Sequence, residues 1–162
     1  MPDSITALLQ PWADFHAEHT TLATALVAVH LLGLFVGGGI AIGADRRVLL
    51  AQPGTGEAYI AAGADLAATH GIVLIALTIT VLSGVALAAA DAGTFAVSPV
   101  FWSKMTVFGL LLLNGSQMRR TERRITGDAD PALPWNRLRR SAWLSISGWL
   151  LLVVLGVVLA NT

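Results

Sequence analysis

The sequence predicts an all-α membrane protein, a transmembrane up-down four-helix bundle with a short N-terminal interfacial amphipathic segment. Hydrophobic residues form 55% of the 162-residue chain and charged residues only 12%. The charged share is about half of the roughly 25% typical of soluble domains. Four apolar runs are long enough to cross the membrane, and almost all basic residues fall in two of the connections between these runs.

Residues 1–21 precede the first apolar run and mix polar with apolar side chains. Trp12 and Phe15 are suited to anchor such a segment at the membrane interface. The segment contains no Lys or Arg, so it lacks the basic region of a secretory signal, and the first span is expected in the mature protein.

Residues 22–162 are predicted to form the transmembrane domain, because a helix needs about 20 apolar residues to cross the hydrocarbon core. Its spans are expected at about residues 22–42, 71–90, 99–118 and 142–160. Within the bilayer these segments must be helical to satisfy their backbone groups. A Pro/Gly turn is predicted in "QPGTGE", and Ser98-Pro99 is a suitable start for the third span.

The basic residues predict the topology. Nine of the ten are arginines in the connections after the first and third spans: Arg46, Arg47, Arg119, Arg120, Arg123, Arg124, Arg137, Arg139 and Arg140. The positive-inside rule makes both connections cytoplasmic. We therefore expect a multi-pass protein of the bacterial inner (cytoplasmic) membrane with both termini in the periplasm.

His30 is the first candidate site residue. It shares a helical stripe with Gly33 and Gly37, whereas Gly39 and Gly43 form a small-residue pair on another face. One interpretation is close helix packing, with the imidazole hydrogen-bonded to a neighbouring helix. The other is axial ligation of a b-type haem, which the glycines would allow to approach the helix.

His70 is the obvious second haem ligand, but its depth differs from that of His30. From the outer ends of their spans, His30 is roughly 14 Å deep and His70 roughly 31 Å deep, at about 1.5 Å per residue. Two axial ligands of one haem must lie at nearly the same depth, so a His30–haem–His70 sandwich is disfavoured. His70 is more simply a residue of the cytoplasmic interface.

The third span contains two further polar candidates, Lys104 and Asn114. Lys104 either extends to the headgroups or faces inward and pairs with Asp14, Glu18 or an anionic cofactor group. Asn114 is interpreted either as a residue that hydrogen-bonds a neighbouring helix or as part of a polar path. Met105 and Met118 are weaker candidates for ligands, since methionine is an ordinary core residue.

His16 and His19, spaced i and i+3 beside acidic residues, are candidate metal ligands on the outer side. A solvated amphipathic face is the plainer explanation. In the fourth span a stripe of small residues predicts tight packing, within the bundle or across a subunit boundary: Ser141, Ser145, Gly148, Leu152 and Gly156.

Several functions are not expected. The chain has no cysteine, which excludes disulfides, iron–sulfur clusters and c-type haem attachment. It contains no catalytic triad pattern, no HExxH and no phosphate-binding glycine loop, so catalysis by this chain alone is unsupported. Neutral net charge gives no indication of nucleic-acid binding, and the arginines are expected to contact anionic lipid.

Three segments carry a resemblance: "HLLGLFVGGGIAIGADRRVLL", "VLSGVALAAADAGTFAVSPVFWSKM" and "LLLLN". The chain resembles small four-helix bacterial membrane proteins, loosely CopD-like, over roughly residues 29–114. In that family an Asn-Pro precedes the third helix, and here Ser98-Pro99 stands in its place. The resemblance implies His30, Lys104 and Asn114 as site positions and associates the chain with copper handling.

Three functions follow as expectations. The first is a non-catalytic integral subunit that packs into a larger respiratory or photosynthetic type of membrane complex, or into a homo-oligomer. The second is a b-type haem electron carrier with His30 as an axial ligand. The third is a copper-handling protein that uses His30, His16 and His19.

Overall fold

A computed structural model describes residues 2–51, 56–125 and 132–161, with side chains at 6–51, 64, 68–121 and 135–161. Over these residues the chain is all-α, and no strand is present in them. The helices are α1 (Pro2–Glu18), α2 (Thr20–Leu50), α3 (Gly56–Ala90), α4 (Ala92–Val97), α5 (Pro99–Ile125) and α6 (Ala132–Leu159).

Three segments are long and apolar enough to cross a membrane: Thr20–Leu50, Ala68–Ala90 and Trp135–Leu159. They correspond to the first, second and fourth predicted spans. The third predicted span lies in α5, which is helical from Pro99 as expected. Lys104, Asn114 and several hydroxyl residues make α5 less apolar than the other three helices.

The helices extend well beyond the predicted spans. Residues 119–141 were expected to be mostly a loop, but α5 continues to Ile125 and α6 begins at Ala132. The short connection 91–98 contains α4. The predicted turn in "QPGTGE" falls largely on residues 52–55, which lie outside the described residues.

The long helices pack closely in three pairs: α2 with α3, α2 with α6, and α5 with α6. By contrast, α3 and α5 make little contact with each other. Helix α1 packs mainly across α3 and is fixed there by Trp12, whose Nε1 donates to the carbonyl of Ala86 at 2.9 Å. The predicted amphipathic segment is therefore a helix attached to the α4 end of α3.

The core has two parts along the helix axes. At the end of the helices that contains Arg46, Arg47 and Arg119, called the basic end below, Trp135 and Leu138 are fully buried with Val48 and Met118. Nearer the middle, Leu111, Trp149 and Leu152 form the second cluster. Large apolar side chains cover much of the outer surface, as expected for helices that face lipid.

Candidate functional site

The glycines beside His30 allow α2 to approach two helices closely. A Cβ atom on Gly33 would lie 2.5 Å from Thr80 Oγ1 and 3.1 Å from the carbonyl oxygen of Ala76, both in α3. On Gly38 it would lie 2.9 Å from the ring of Trp149 in α6. These distances leave no room for a side chain, so the close-packing interpretation of this stripe agrees with the structure.

His30 itself is bonded to α3. Its Nδ1 lies 2.9 Å from the carbonyl oxygen of Thr80 and 3.3 Å from Ser83 Oγ. Because a carbonyl can only accept, Nδ1 carries the proton and donates it, which leaves the lone pair on Nε2. Gly84 provides the space for the ring, since a Cβ atom there would lie 2.9 Å from His30 Cε1.

Lys104 is half-buried, and its side chain extends towards α6. A Cβ atom on Gly156 of α6 would lie 3.7 Å from Lys104 Nζ, and the ammonium group is within electrostatic range of His30. No ion pair to Lys104 is present among the described side chains. Asp14, one suggested partner, instead accepts a hydrogen bond from Gln10.

Asn114 connects α5 to α6. Its Nδ2 donates to the carbonyl oxygen of Ser141 at 2.8 Å and lies 3.7 Å from the sulfur of Met118. This is the interhelical role that the sequence suggested first. The α6 stripe also faces inward, because Gly148 lies against Leu111 and the buried Ser145 interacts with Asp45 of α2.

His70 lies far from His30 along the helices. His30 contacts α3 at Thr80, ten residues after His70, which corresponds to about 15 Å of helix. His70 instead lines a cavity near the basic end together with Met118. The two histidines are not brought together, as the depth comparison indicated.

His16 and His19 also remain apart from the other candidates. His19 lies just beyond the end of α1, with its ring stacked on Phe15 at 4.2 Å between centroids and its Nδ1 2.9 Å from the Phe15 carbonyl oxygen. His16 lies beside Trp12. Over the described side chains, no group of three His, Asp or Glu residues is positioned to hold a metal ion.

Asp45 is the functional candidate that sequence reasoning missed. In the sequence it only precedes Arg46 and Arg47, which predict the topology, but in the structure it is just 2% exposed. Its position i+7 and i+8 from Gly38 and Gly37 puts it on the stripe that packs against α6. That spacing was the available signal that the carboxyl group faces the interior.

The fold and this arrangement define a class only broadly: an all-α protein with three helices able to cross a membrane and ionisable side chains between them. Searches of protein-family models, curated proteins and solved structures found no match to this chain.

Proposed function

We propose that the chain is a four-span integral membrane protein of the bacterial inner membrane, with α5 as the fourth crossing and both termini outside. The arginines at the basic end support this orientation through the positive-inside rule. The inward position of Lys104 supports a crossing by α5, because a charge facing the protein interior is compatible with a membrane span.

In this proposal the protein is a non-catalytic subunit that associates with a second membrane helix through one face of α2. The observation that carries the proposal concerns Gly39 and Gly43. A Cβ atom on either glycine would meet nothing within 4 Å, whereas Gly33, Gly37 and Gly38 are occupied by contacts inside the chain.

A pair of glycines four residues apart lets another helix approach closely in a membrane. Around them the same side of α2 exposes large apolar residues, Leu32 at 61% and Phe35 at 79%. The surface defined by Leu32, Phe35, Gly39 and Gly43, called the open α2 face below, thus combines projecting side chains with a shallow groove. The partner is another membrane subunit or a second copy of this chain.

Native size tests this function. Membranes that contain the tagged protein are solubilised in a mild detergent, and the particle mass is measured for the wild type and for the double variant Gly39→Leu/Gly43→Leu. We expect the wild type to run as an assembly and the double variant as a monomer. Gly71→Leu is the matched control, because Gly71 also has open space around it but lies on α3.

A wild-type particle of monomer mass would contradict the proposal, as would a double variant that stays assembled. Co-expression of two differently tagged copies then separates the two kinds of partner. Recovery of both tags together identifies a homo-oligomer, and recovery of one tag in a large particle identifies a different subunit.

The second candidate function is a b-type haem protein, and the hydrogen bond of His30 favours it. Histidines that bind a metal ion almost always donate their other ring N–H to a carbonyl or carboxylate. The contact to Thr80 has that form and directs the lone pair to Nε2. Lys104, within electrostatic range, would offer a positive charge to a haem propionate.

Absorption spectra with and without dithionite test this candidate. The haem function predicts a Soret band and a reduced α-band that disappear in His30→Ala and persist in His70→Ala. A colourless, folded wild-type protein would contradict it. Copper handling remains a prediction from the sequence, tested by the loss of copper-dependent stabilisation in His16→Ala/His19→Ala.

A further inference from the structure

A cavity of about 170 Å³ lies between α3 and α5, near the basic end. The cavity lies where these two helices make little contact with each other, and residues of α2 and α6 line its base. Most of its lining is apolar and includes Val73, Leu77, Leu111 and Trp149. The cavity is therefore a largely apolar space between the helices.

Asp45 is the acidic residue in this lining. Only 2% of its surface is exposed, and its carboxyl group interacts with the Ser145 side chain. The second carboxyl oxygen, Oδ2, has no hydrogen-bond partner within the described part of the chain. A buried carboxyl oxygen without a donor is costly, so a donor that entered the cavity beside Asp45 would stabilise this carboxyl group.

The cavity chemistry limits the class of ligand. A divalent cation such as Ca²⁺ takes about six or more oxygen ligands. Besides Asp45 and Ser145, the side-chain oxygens of the lining are the hydroxyls of Thr69 and Ser116. The volume is close to that of an apolar cavity of about 150 Å³ that holds benzene. The space thus suits an apolar group of that size with one cationic donor.

We propose that this cavity binds a small amphipathic ammonium ion. The ammonium N–H donates to the carboxyl group of Asp45, and the apolar part of the ligand contacts Leu77, Leu111 and Trp149. His70 and Arg119 line the same cavity, and the exposed Arg119 lies toward solvent. Asp45 is the one acidic residue among the described residues of the lining, which favours a ligand with a single cationic group that reaches this carboxyl group.

This inference goes beyond the assembly function and does not rest on it. Asp45 is buried against α6, whereas the glycines of the open α2 face have no neighbour in the chain. Loss of one property therefore does not entail loss of the other.

The experiment uses the purified full-length protein in detergent with two probes of matched size, benzylammonium and benzyl alcohol. Binding is measured by saturation-transfer NMR and by the shift in the melting temperature. We expect saturable binding of benzylammonium that weakens at least tenfold in Asp45→Asn. The neutral alcohol should bind weakly and equally to both proteins, which controls for partition into the micelle.

Two variants keep the result interpretable. Asp91→Asn removes an exposed carboxylate outside the cavity and should leave benzylammonium binding unchanged. Leu77→Phe places a larger side chain in the cavity and so reduces its free volume, while Asp45 is retained. This variant should abolish binding. It also replaces Asp45→Asn as the test if that variant does not fold.

Three results would overturn the proposal. The first is equal binding of the ammonium and the alcohol by the wild type, which would show that the Asp45 carboxyl group does not select a cationic ligand. The second is unchanged benzylammonium binding in folded Asp45→Asn. The third is unchanged binding in Leu77→Phe.

Discussion

The Nδ1 atom of His30 lies 2.9 Å from the carbonyl oxygen of Thr80, fifty residues further along the chain. This bond joins α2 to α3 at the level where Gly84 provides space for the imidazole ring. It serves helix packing whether or not Nε2 also binds a cofactor. Stability measurements therefore report on the packing role of His30, and absorption spectra report separately on whether it binds a cofactor.

Replacement of His30 tests the packing role. His30→Ala removes the donor to the Thr80 carbonyl, and we expect the free energy of unfolding to fall by about 1–3 kcal/mol. His30→Asn retains an N–H donor of similar reach and should recover part of that loss. The measurement is reversible unfolding in mixed micelles, and equal stability of wild type and His30→Ala would contradict the packing role.

The glycines of α2 should respond to alanine in opposite directions. Gly33→Ala forces a methyl group against Thr80 and Ala76, and overpacking of this kind costs roughly 1–3 kcal/mol. In protein dissociated to the monomer, Gly39→Ala meets open space, and the better helix propensity of alanine favours a gain of up to about 1 kcal/mol. The same unfolding assay compares them, and similar losses in both variants would argue against the helix packing described above.

Lys104 is the only lysine in the sequence, which makes its position measurable by acylation. We expect an amine-reactive ester to modify Lys104 slowly in the folded protein and rapidly after denaturation. The reason is that Nζ lies next to α6 and Lys104 is half-buried. Mass spectrometry of the peptide measures both rates. Equal rates would indicate that the side chain extends to the headgroups.

Two tryptophans of α6 provide a matched pair for the core at the basic end. Trp135 is fully buried, whereas Trp143 is 61% exposed. We expect Trp135→Ala to destabilise the protein by roughly 3–5 kcal/mol, as for other large-to-small core changes. Trp143→Ala should cost much less. The contrast is measured as the difference in melting temperature, and a larger loss for Trp143→Ala would be inconsistent with this packing.

The sequence was sufficient to predict the helical class, the start of α5 at Pro99 and the separation of His30 from His70. These features depend on hydropathy, on proline and on helical rise, all of which are local. The lengths of α5 and α6 at the basic end could not be predicted in the same way. At this end Trp135 and Leu138 of α6 pack against Val48 and Met118, a contact between distant parts of the chain that no local pattern specifies.

The candidate sites likewise include features that local sequence predicts and features that depend on contacts between distant residues. The glycine spacing around His30 indicated close packing, but the identity of the partner helix is a tertiary property. Asp45 was overlooked because an acidic residue beside two arginines resembles an ordinary helix end. In the structure it interacts with Ser145, one hundred residues further along the chain, and no local pattern contains that information.

The account depends most on the fourth membrane crossing, by α5. Since the chain contains no cysteine, Thr94→Cys and Arg120→Cys introduce single thiols at exposed positions on either side of α5. In intact cells with a permeable outer membrane, an impermeant maleimide should label Thr94→Cys at once. It should label Arg120→Cys only after the inner membrane is disrupted. Labelling of both positions from the same side would show that α5 does not cross the membrane and would contradict the four-span account.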